Sequence, residues 1–267
     1  MKLKRKRKAL KKNRIILLAV FITAALASAG IAFRDGGFLR YVNNGSEGNT
    51  EYYVGNGTNS YAAAYGEAVG RTYEYSGSAF QEVNGNVPFF EESEFVGYSF
   101  ERYAPLDGLE RCGAAYACIG VDIMPTDERE PIGAVKPSGW HTVKYSGLID
   151  GNYLYNRCHL IAFELAGENA NEKNLITGTR YMNVEGMLPF ENRVAAYVKR
   201  TRNHVLYRVT PVFEGENLVA SGVLMEGRSV EDGGAGICFC VYVFNVQPGI
   251  AIDYGTGESE REDKFSN

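Results

Sequence analysis

The apolar positions fall into three regimes along the chain. Residues 15–33, IILLAVFITAALASAGIAF, form an unbroken run of 19 uncharged positions behind a segment, 1–14, that carries nine basic groups and no acid. Such a run is just long enough to cross a bilayer with its basic flank held in the cytoplasm. A cleaved signal peptide fits the same residues, because Ala25-Leu26-Ala27 offers a small-x-small cleavage site. Either way the rest of the chain is expected outside the cytoplasm. Residues 34–78 are rich in Gly, Asn, Ser and Tyr with no sustained apolar period. They are expected to form a flexible spacer whose tyrosines, Tyr65, Tyr73 and Tyr75 among them, are solvated.

From Ala79 the pattern becomes that of a folded unit. AFQEVNGNVPFF predicts a short strand, a turn at Asn84-Gly85-Asn86 and a docking pair of aromatics. LDGLERCGAAYACIGVDIM, from Leu106, predicts a turn and a buried strand ending at Pro125, and His141 to Tyr145 a short strand. HVLYRVTPVFEG and NLVASGVLMEG are β-rich runs around Gly215-Glu216-Asn217, a hairpin by spacing and turn chemistry. ICFCVYVFNV, from Ile237 to Val246, is apolar on both alternating faces, as a strand covered on both sides should be. Between these β-rich parts PFENRVAAYVKRTR has helical spacing, with Val194, Tyr197 and Val198 as the buried stripe. Pro189 inside a longer helix would cost about 3 kcal/mol, so the helix is expected to begin close to Pro189, with Asn183 on a bend or short turn just before it. The expected fold is α+β, one domain over 79–255 built mainly on antiparallel strands, with a charged tail over 256–267.

Charge sharpens this picture. Beyond the basic leader the remaining 253 residues carry 19 basic against 32 acidic groups, a balance that repels polyanions at long range. Within 151–210 the sign reverses, eight basic against five acidic, which suits a local grip on a phosphate chain or simply a solvated helix face. The five cysteines, Cys112, Cys118, Cys158, Cys238 and Cys240, include no CxxC pair, which argues against a four-cysteine zinc site and a disulfide framework. A Cys112–Cys118 bridge is compatible with an exported chain.

The candidate chemistry lies in YNRCHL, Tyr155 to Leu160, and the 35 residues after it. Hydrolysis of a phosphodiester needs a base that is neutral near pH 7, a partner for the charge that builds on phosphate oxygens, and donors that hold the phosphate. Histidine meets the first need. A hard divalent cation held by oxygen ligands meets the second, and arginine the third. His159, Arg157, Asn174, Asn183 and Glu191 supply these groups in one stretch, whereas His141 and His204 lack such company and are expected to be structural.

YNRCHLIAFELAGENANEKNLITGTRYMNVEGMLPFENRVAAYVKRTRNHVLYRVTPVF resembles the core of the DNA/RNA non-specific endonucleases, the ββα-metal (His-Me finger) enzymes that include streptodornases and DNA-entry nucleases. The family signature Asp-Arg-Gly-His stands here as Asn156-Arg157-Cys158-His159, and Asn183 and Glu191 are eight apart as the family spaces its metal-binding asparagine and glutamate. The resemblance extends more loosely from Phe80 to Tyr254, through the YRVTP and NVQPG strands. It implies an α+β domain that hydrolyses DNA and RNA with Mg2+, for which Mn2+ can substitute. It implies His159 as general base, Asn183 as metal ligand and Glu191 orienting the ion's waters. Asn174 would be a further active-site residue, and Arg157, Arg180 and Arg193 would bind the phosphate chain. The implied partners are DNA and RNA as substrate and the membrane through the N-terminal segment, with no protein partner.

Two positions depart from the signature. Asn156 removes a negative charge beside the site, and Cys158 replaces a glycine, so the backbone there needs no positive φ. The loss of that aspartate is what keeps a second reading in view, a membrane-anchored DNA-binding and uptake protein with a degenerate nuclease domain. A wall-associated adhesion domain, suggested by the Tyr/Gly/Asn spacer, is the third.

Overall fold

The computed structural model describes residues 60–262. The basic leader, the apolar run over 15–33 and the first part of the expected spacer lie outside the described residues. Among the described residues no helix is long and apolar enough to cross a membrane.

Three long antiparallel strands follow one another as the apolar runs predict: β6 (Val205–Val212), β7 (Gly222–Ser229) and β8 (Cys238–Phe244). Three shorter strands, β1 (Phe80–Glu82), β2 (Phe100–Tyr103) and β3 (Ala115–Ile119), extend them into a six-stranded antiparallel sheet ordered β1-β8-β7-β6-β3-β2. Period-two alternation divides β6 and β8 between two cores. Val205, Tyr207 and Val209 join Phe239, Val241 and Val243 on one face, packed beneath the helix over Leu188–Thr201. Cys240, Tyr242 and Phe244 point to the other face, and this two-sided cover is why the β8 sequence shows no polar alternation.

That second face corrects the reading of 34–78. Its described part, 60–78, is not a solvated spacer: helix α1 (Ser60–Gly70) lies on the sheet, with Tyr65 Oη 2.6 Å from Thr210 Oγ1 and the Arg208 guanidinium 4.0 Å from the Tyr65 ring centroid. Tyr73 stacks on Tyr242 at 4.0 Å and 14°, and Tyr75 meets Phe244 edge-on at 5.5 Å. Beneath α1 a buried ion pair joins Arg208 to Glu226 through two bonds of 2.7 and 3.0 Å, and Glu226 also accepts from the Phe89 amide at 2.8 Å. Arg208, counted above in the local positive surplus, is therefore neutralised on the face away from the candidate site.

A second, two-stranded antiparallel sheet, β4 (Tyr155–His159) with β5 (Leu175–Thr179), carries the central motif. Asn245, fully buried just past β8, ties this hairpin to the main sheet. Its Oδ1 accepts from the Thr179 amide at 2.8 Å, and its Nδ2 donates to the carbonyls of Thr177 and Ala220 at 3.0 and 2.9 Å. The last pair joins β9 (Ile250–Ile252) to β10 (Ser259–Arg261), so a strand lies within the expected charged tail over 256–267. The expected strand at His141–Tyr145 is reduced to one bridge, Lys144 to Tyr153. The fold is α+β, mostly antiparallel sheet with a few helices.

All five cysteines are free. Cys112 Sγ donates to the carbonyls of Glu172 and Leu175, both at 3.2 Å, and Cys118 Sγ to that of Val96 at 3.5 Å, so each thiol is engaged separately rather than bridged.

Candidate active site

Antiparallel register places His159 opposite Leu175 and Arg157 opposite Thr177. The 15-residue connection between the two strands contains a short helix, α2 (Phe163–Ala166), closed by Gly167 at φ 69°, and a 3-10 turn over Glu172–Asn174. Asn174 holds this connection together. Its carbonyl accepts from the Leu160 amide at 2.9 Å, and its side chain accepts from Ile161 N at 2.8 Å and donates to Ile161 O at 2.9 Å. Both ends of the amide are consumed and the residue is fully buried, so Asn174 does not reach the cleft. Its side chain is spent on the connection between the two strands.

His159 is buried with one edge on the cleft. Nε2 lies 2.8 Å from the Asn169 carbonyl, a contact that requires an N–H there and leaves the Nδ1 lone pair as the ring's acceptor. Nδ1 faces Arg129 Nη2 at 3.3 Å. Burial lowers the histidine's pKa below its ordinary value and the Arg129 charge lowers it further, against the raising effect of the Asn169 carbonyl. Arg157 stacks over Trp140, 4.0 Å from guanidinium to ring centroid. It donates from Nε to the Val135 carbonyl and from Nη2 to Gly133 O at 2.9 Å. It thus holds the proline-containing loop over 131–140 against the hairpin, with two of its three nitrogens engaged. Cys158 turns the other way into the core, where a Cβ on Gly178 would lie 2.4 Å from its Sγ, and burial raises its thiol pKa.

The opposite wall is helical further back than the sequence suggests. The chain is helical from Arg180, passes through a π-turn over Met182–Met187 and continues as α3 (Leu188–Thr201). The Leu188 amide bonds to Asn183 O, five residues back, and Pro189 sits in the first turn of α3, where a missing N–H costs nothing. Widening the turn before the proline lets one helical course run past it, so Asn183 lies on a helix and not on a bend. Gly186 permits the π-turn's contact with β8, since a Cβ there would lie 2.3 Å from Val243 Cγ1. Asn183 and Glu191 both face a cleft of about 750 Å3 that Asn156, Arg157 and His159 also line. Glu191 is buried on the helix stripe continued by Val194, Ala195 and Val198. Burial first and the Glu164 charge second push its carboxyl up to about 8, against the lowering effect of Arg129.

Arg180 lines the same cleft while pairing with the exposed Asp150 at 3.3 Å. Arg193 is not among the residues that line it: its guanidinium lies 6.0 and 5.9 Å from the ring centroids of Phe190 and Phe239. Arg129, which the sequence reading did not single out, lines the cleft. The acidic, aperiodic stretch Asp127-Glu128-Arg129-Glu130 gave no sign of it. His141 and His204 bind the Thr256 carbonyl and the Glu231 carboxylate at 3.0 and 2.5 Å, away from the cleft, as expected of structural histidines.

The donor set of the cleft includes one imidazole, two amides and two carboxylates, Glu164 and Glu191, and among the described residues no group of three or more His, Cys, Asp or Glu gathers as a metal cage. Such a set does not suit zinc-type cages. It fits a hard cation that keeps much of its hydration. Two buried polar atoms, Nδ2 of the cleft-lining Asn156 and Oδ1 of Asn169, have no hydrogen-bond partner among the described residues, which leaves polar capacity for such a hydrated group.

The model of the DNA/RNA non-specific endonuclease family matches residues 93–231, just over half the chain, including both strands of the hairpin and α3. Among solved structures the chain is similar to NucA from Streptococcus agalactiae with magnesium ion bound, at 25% identity and a TM-score of 0.62, over 72% of this chain and 91% of that one. It is also similar to the Sda1 nuclease with bound zinc ion, at 32% identity and a TM-score of 0.54, over 61% of this chain and 81% of that one. With that family match, and with the fold extending over almost the whole of NucA, the chain belongs to the DNA/RNA non-specific endonuclease family and is a phosphodiester hydrolase.

Proposed function

We propose that the protein is an exported, Mg2+-dependent endonuclease that hydrolyses DNA and RNA, with His159 as general base. The observation that carries this reading is the imidazole: its Nε2 is tied to the Asn169 carbonyl, and its acceptor Nδ1 faces Arg129 Nη2 in the cleft that His159, Asn183 and Glu191 line together. A buried, neutral histidine at pH 7 can take a proton from water as that water attacks phosphorus. Asn183 and Glu191 are the residues that would hold the cation, Asn183 through its amide oxygen and Glu191 through the ion's hydration shell. The NucA relative holds magnesium and the Sda1 relative holds zinc, and the oxygen donors here favour the harder ion. When bound, a divalent cation neutralises charge on the phosphate oxygens. Arg157 keeps the Trp140 loop in place, while Arg129 and Arg180 present cations to the phosphate chain. Export rests on the basic and apolar leader, either as an anchor over 15–33 or as a cleaved signal. The nuclease domain then begins at or before Ser60 rather than at Ala79.

The test is plasmid nicking by the full-length chain in Mg2+, with and without chelator. Cleavage should vanish with chelator and with His159→Ala, and a His159→Ala protein that cuts as fast as wild type would overturn the mechanism. Raising Mg2+ should not restore Asn183→Ala; if it does, Asn183 is scaffold rather than ligand. Asn156, whose amide is partly orphaned in place of the signature aspartate, favours one second reading, a DNA-binding protein with a degenerate site. Salt-sensitive retention of DNA without cleavage in Mg2+ or Mn2+ would select it.

A further inference from the structure

The hydroxyl of Tyr207 presents a problem that packing does not solve. Tyr207 sits in the middle of β6, is fully buried, and its Oη has no hydrogen-bond partner among the described residues. An unpaired buried hydroxyl is unfavourable, and phenylalanine would fill the same space without that penalty. The ring packs normally beside Phe239, with centroids 6.4 Å apart, so the polar atom alone needs explaining.

Its surroundings indicate what it serves. Val205, Tyr207 and Val209 form the β6 face that packs against α3, in one core with Phe190, Val194, Ala195 and Val198. Glu191 precedes Val194, Ala195 and Val198 by three, four and seven positions, so it shares their stripe and projects toward the same face of the sheet. It is the one carboxylate on the buried stripe of α3, and its charge acts on the Tyr207 hydroxyl. The carboxylate thus has a cleft side and an inner side. Cys158 and Tyr207 belong to the core that this stripe faces, and the Glu191 charge acts on the thiol of one and on the hydroxyl of the other, the stronger donor of the two. Glu191 has no hydrogen bond of its own among the described residues to fix its orientation.

We propose that Tyr207 is a positioning residue for Glu191: its hydroxyl donates, through one buried water, to the inner carboxylate oxygen and aims the other at the cation site. The proposal rests on Glu191 serving a bound divalent cation, as argued above. A carboxylate at a metal site is itself usually held by hydrogen bonds, and loss of such an outer partner costs about 10–100-fold in metal affinity or activity.

The deciding variant is Tyr207→Phe in the full-length chain, which removes one oxygen and leaves the ring. Three measurements accompany it: Mn2+ binding without nucleic acid, followed by electron paramagnetic resonance; melting in chelator; and kcat and KM on a DNA oligonucleotide against Mg2+ concentration. The expected result is Mn2+ binding and kcat each about tenfold or more weaker, an unchanged KM for DNA, and a metal-free melting temperature equal to or above wild type. Glu191→Gln should show the same loss, and adding Tyr207→Phe to it should cost little more. Wild-type Mn2+ binding and kcat in Tyr207→Phe would overturn the proposal, as would losses that merely follow a lower melting temperature. If Glu191→Gln itself binds Mn2+ and cleaves like wild type, the reading of Glu191 fails instead. If Glu191→Gln is impaired and Tyr207→Phe is not, only the role of Tyr207 fails.

Discussion

Replacing Asn174 by alanine separates a residue that builds the site from one that works in it. The side chain makes two hydrogen bonds to one residue, accepting from Ile161 N at 2.8 Å and donating to Ile161 O at 2.9 Å, and both residues are fully buried. Alanine leaves that amide and that carbonyl unpaired where water does not reach, at about 1–3 kcal/mol for each group. Allowing for some relaxation, the loss should be about 2–5 kcal/mol. For a domain of this size each kcal/mol lowers the melting temperature by about 2–4 °C, so the variant should melt about 5–15 °C below wild type. The connection it loosens also carries Asn169, whose carbonyl fixes the histidine ring. Below the variant's melting temperature kcat should therefore fall, by about tenfold, while KM for DNA and the Mg2+ requirement stay where they were. Thermal unfolding in chelator, paired with plasmid nicking at 20 °C, measures both. A variant that melts like wild type yet cannot cleave would refute the reasoning, because it would place the Asn174 amide among the reacting groups.

Three further outcomes follow from the same geometry. Burial and then Arg129 hold the His159 pKa below its ordinary value, so the base stays neutral and cleavage persists below pH 6.5 before it falls; Arg129→Ala should move that acid limb upward and lower kcat/KM, while Arg193→Ala should leave both close to wild type. A limb that moves downward in Arg129→Ala would contradict the assignment. In the metal-free protein Glu191 is raised to about 8, so the folded state binds the extra proton: the stabilisation is complete below the ordinary carboxyl pKa of 4.5 and is lost as pH rises through about 8. Calorimetry in two buffers at pH 7 should accordingly show proton release when Mg2+ binds. Tyr65→Ala, which removes the ring over Arg208 and the bond to Thr210, should destabilise the domain by about 1–3 kcal/mol without changing its Mg2+ requirement. An unchanged melting temperature would return α1 to the status of a spacer.

Where a segment's apolar pattern was one-dimensional, the sequence predicted its structure well. The β6–β7 hairpin follows from two β-rich runs and the Gly215-Glu216-Asn217 turn, β8 from its unbroken apolar run, and the buried stripe of α3 from Val194, Tyr197 and Val198. Helix α1 was hidden because it docks through tyrosine rings, whose amphipathic character reads as solvated linker until the sheet and the Arg208–Glu226 pair that receive them are known. Arg129 was hidden because a loop residue has no period, and only the folded chain brings position 129 to position 159.

The relation between Asn183 and Glu191 was visible as a spacing, but its reason was not. An α-helix turns about 100° per residue, so eight positions carry a side chain about 80° past two full turns, which puts the two residues on different faces. The π-turn over Met182–Met187 inserts one residue into the helical course and removes about one step of that rotation, leaving about 20°. Asn183 and Glu191 thereby line one cleft. Pro189, which from the sequence argued for a helix start, lies directly after the widened turn and is compatible with it because the first turn of α3 needs no N–H there. The residue that seemed to separate Asn183 from the helix thus marks the distortion that turns its side chain to the face of Glu191.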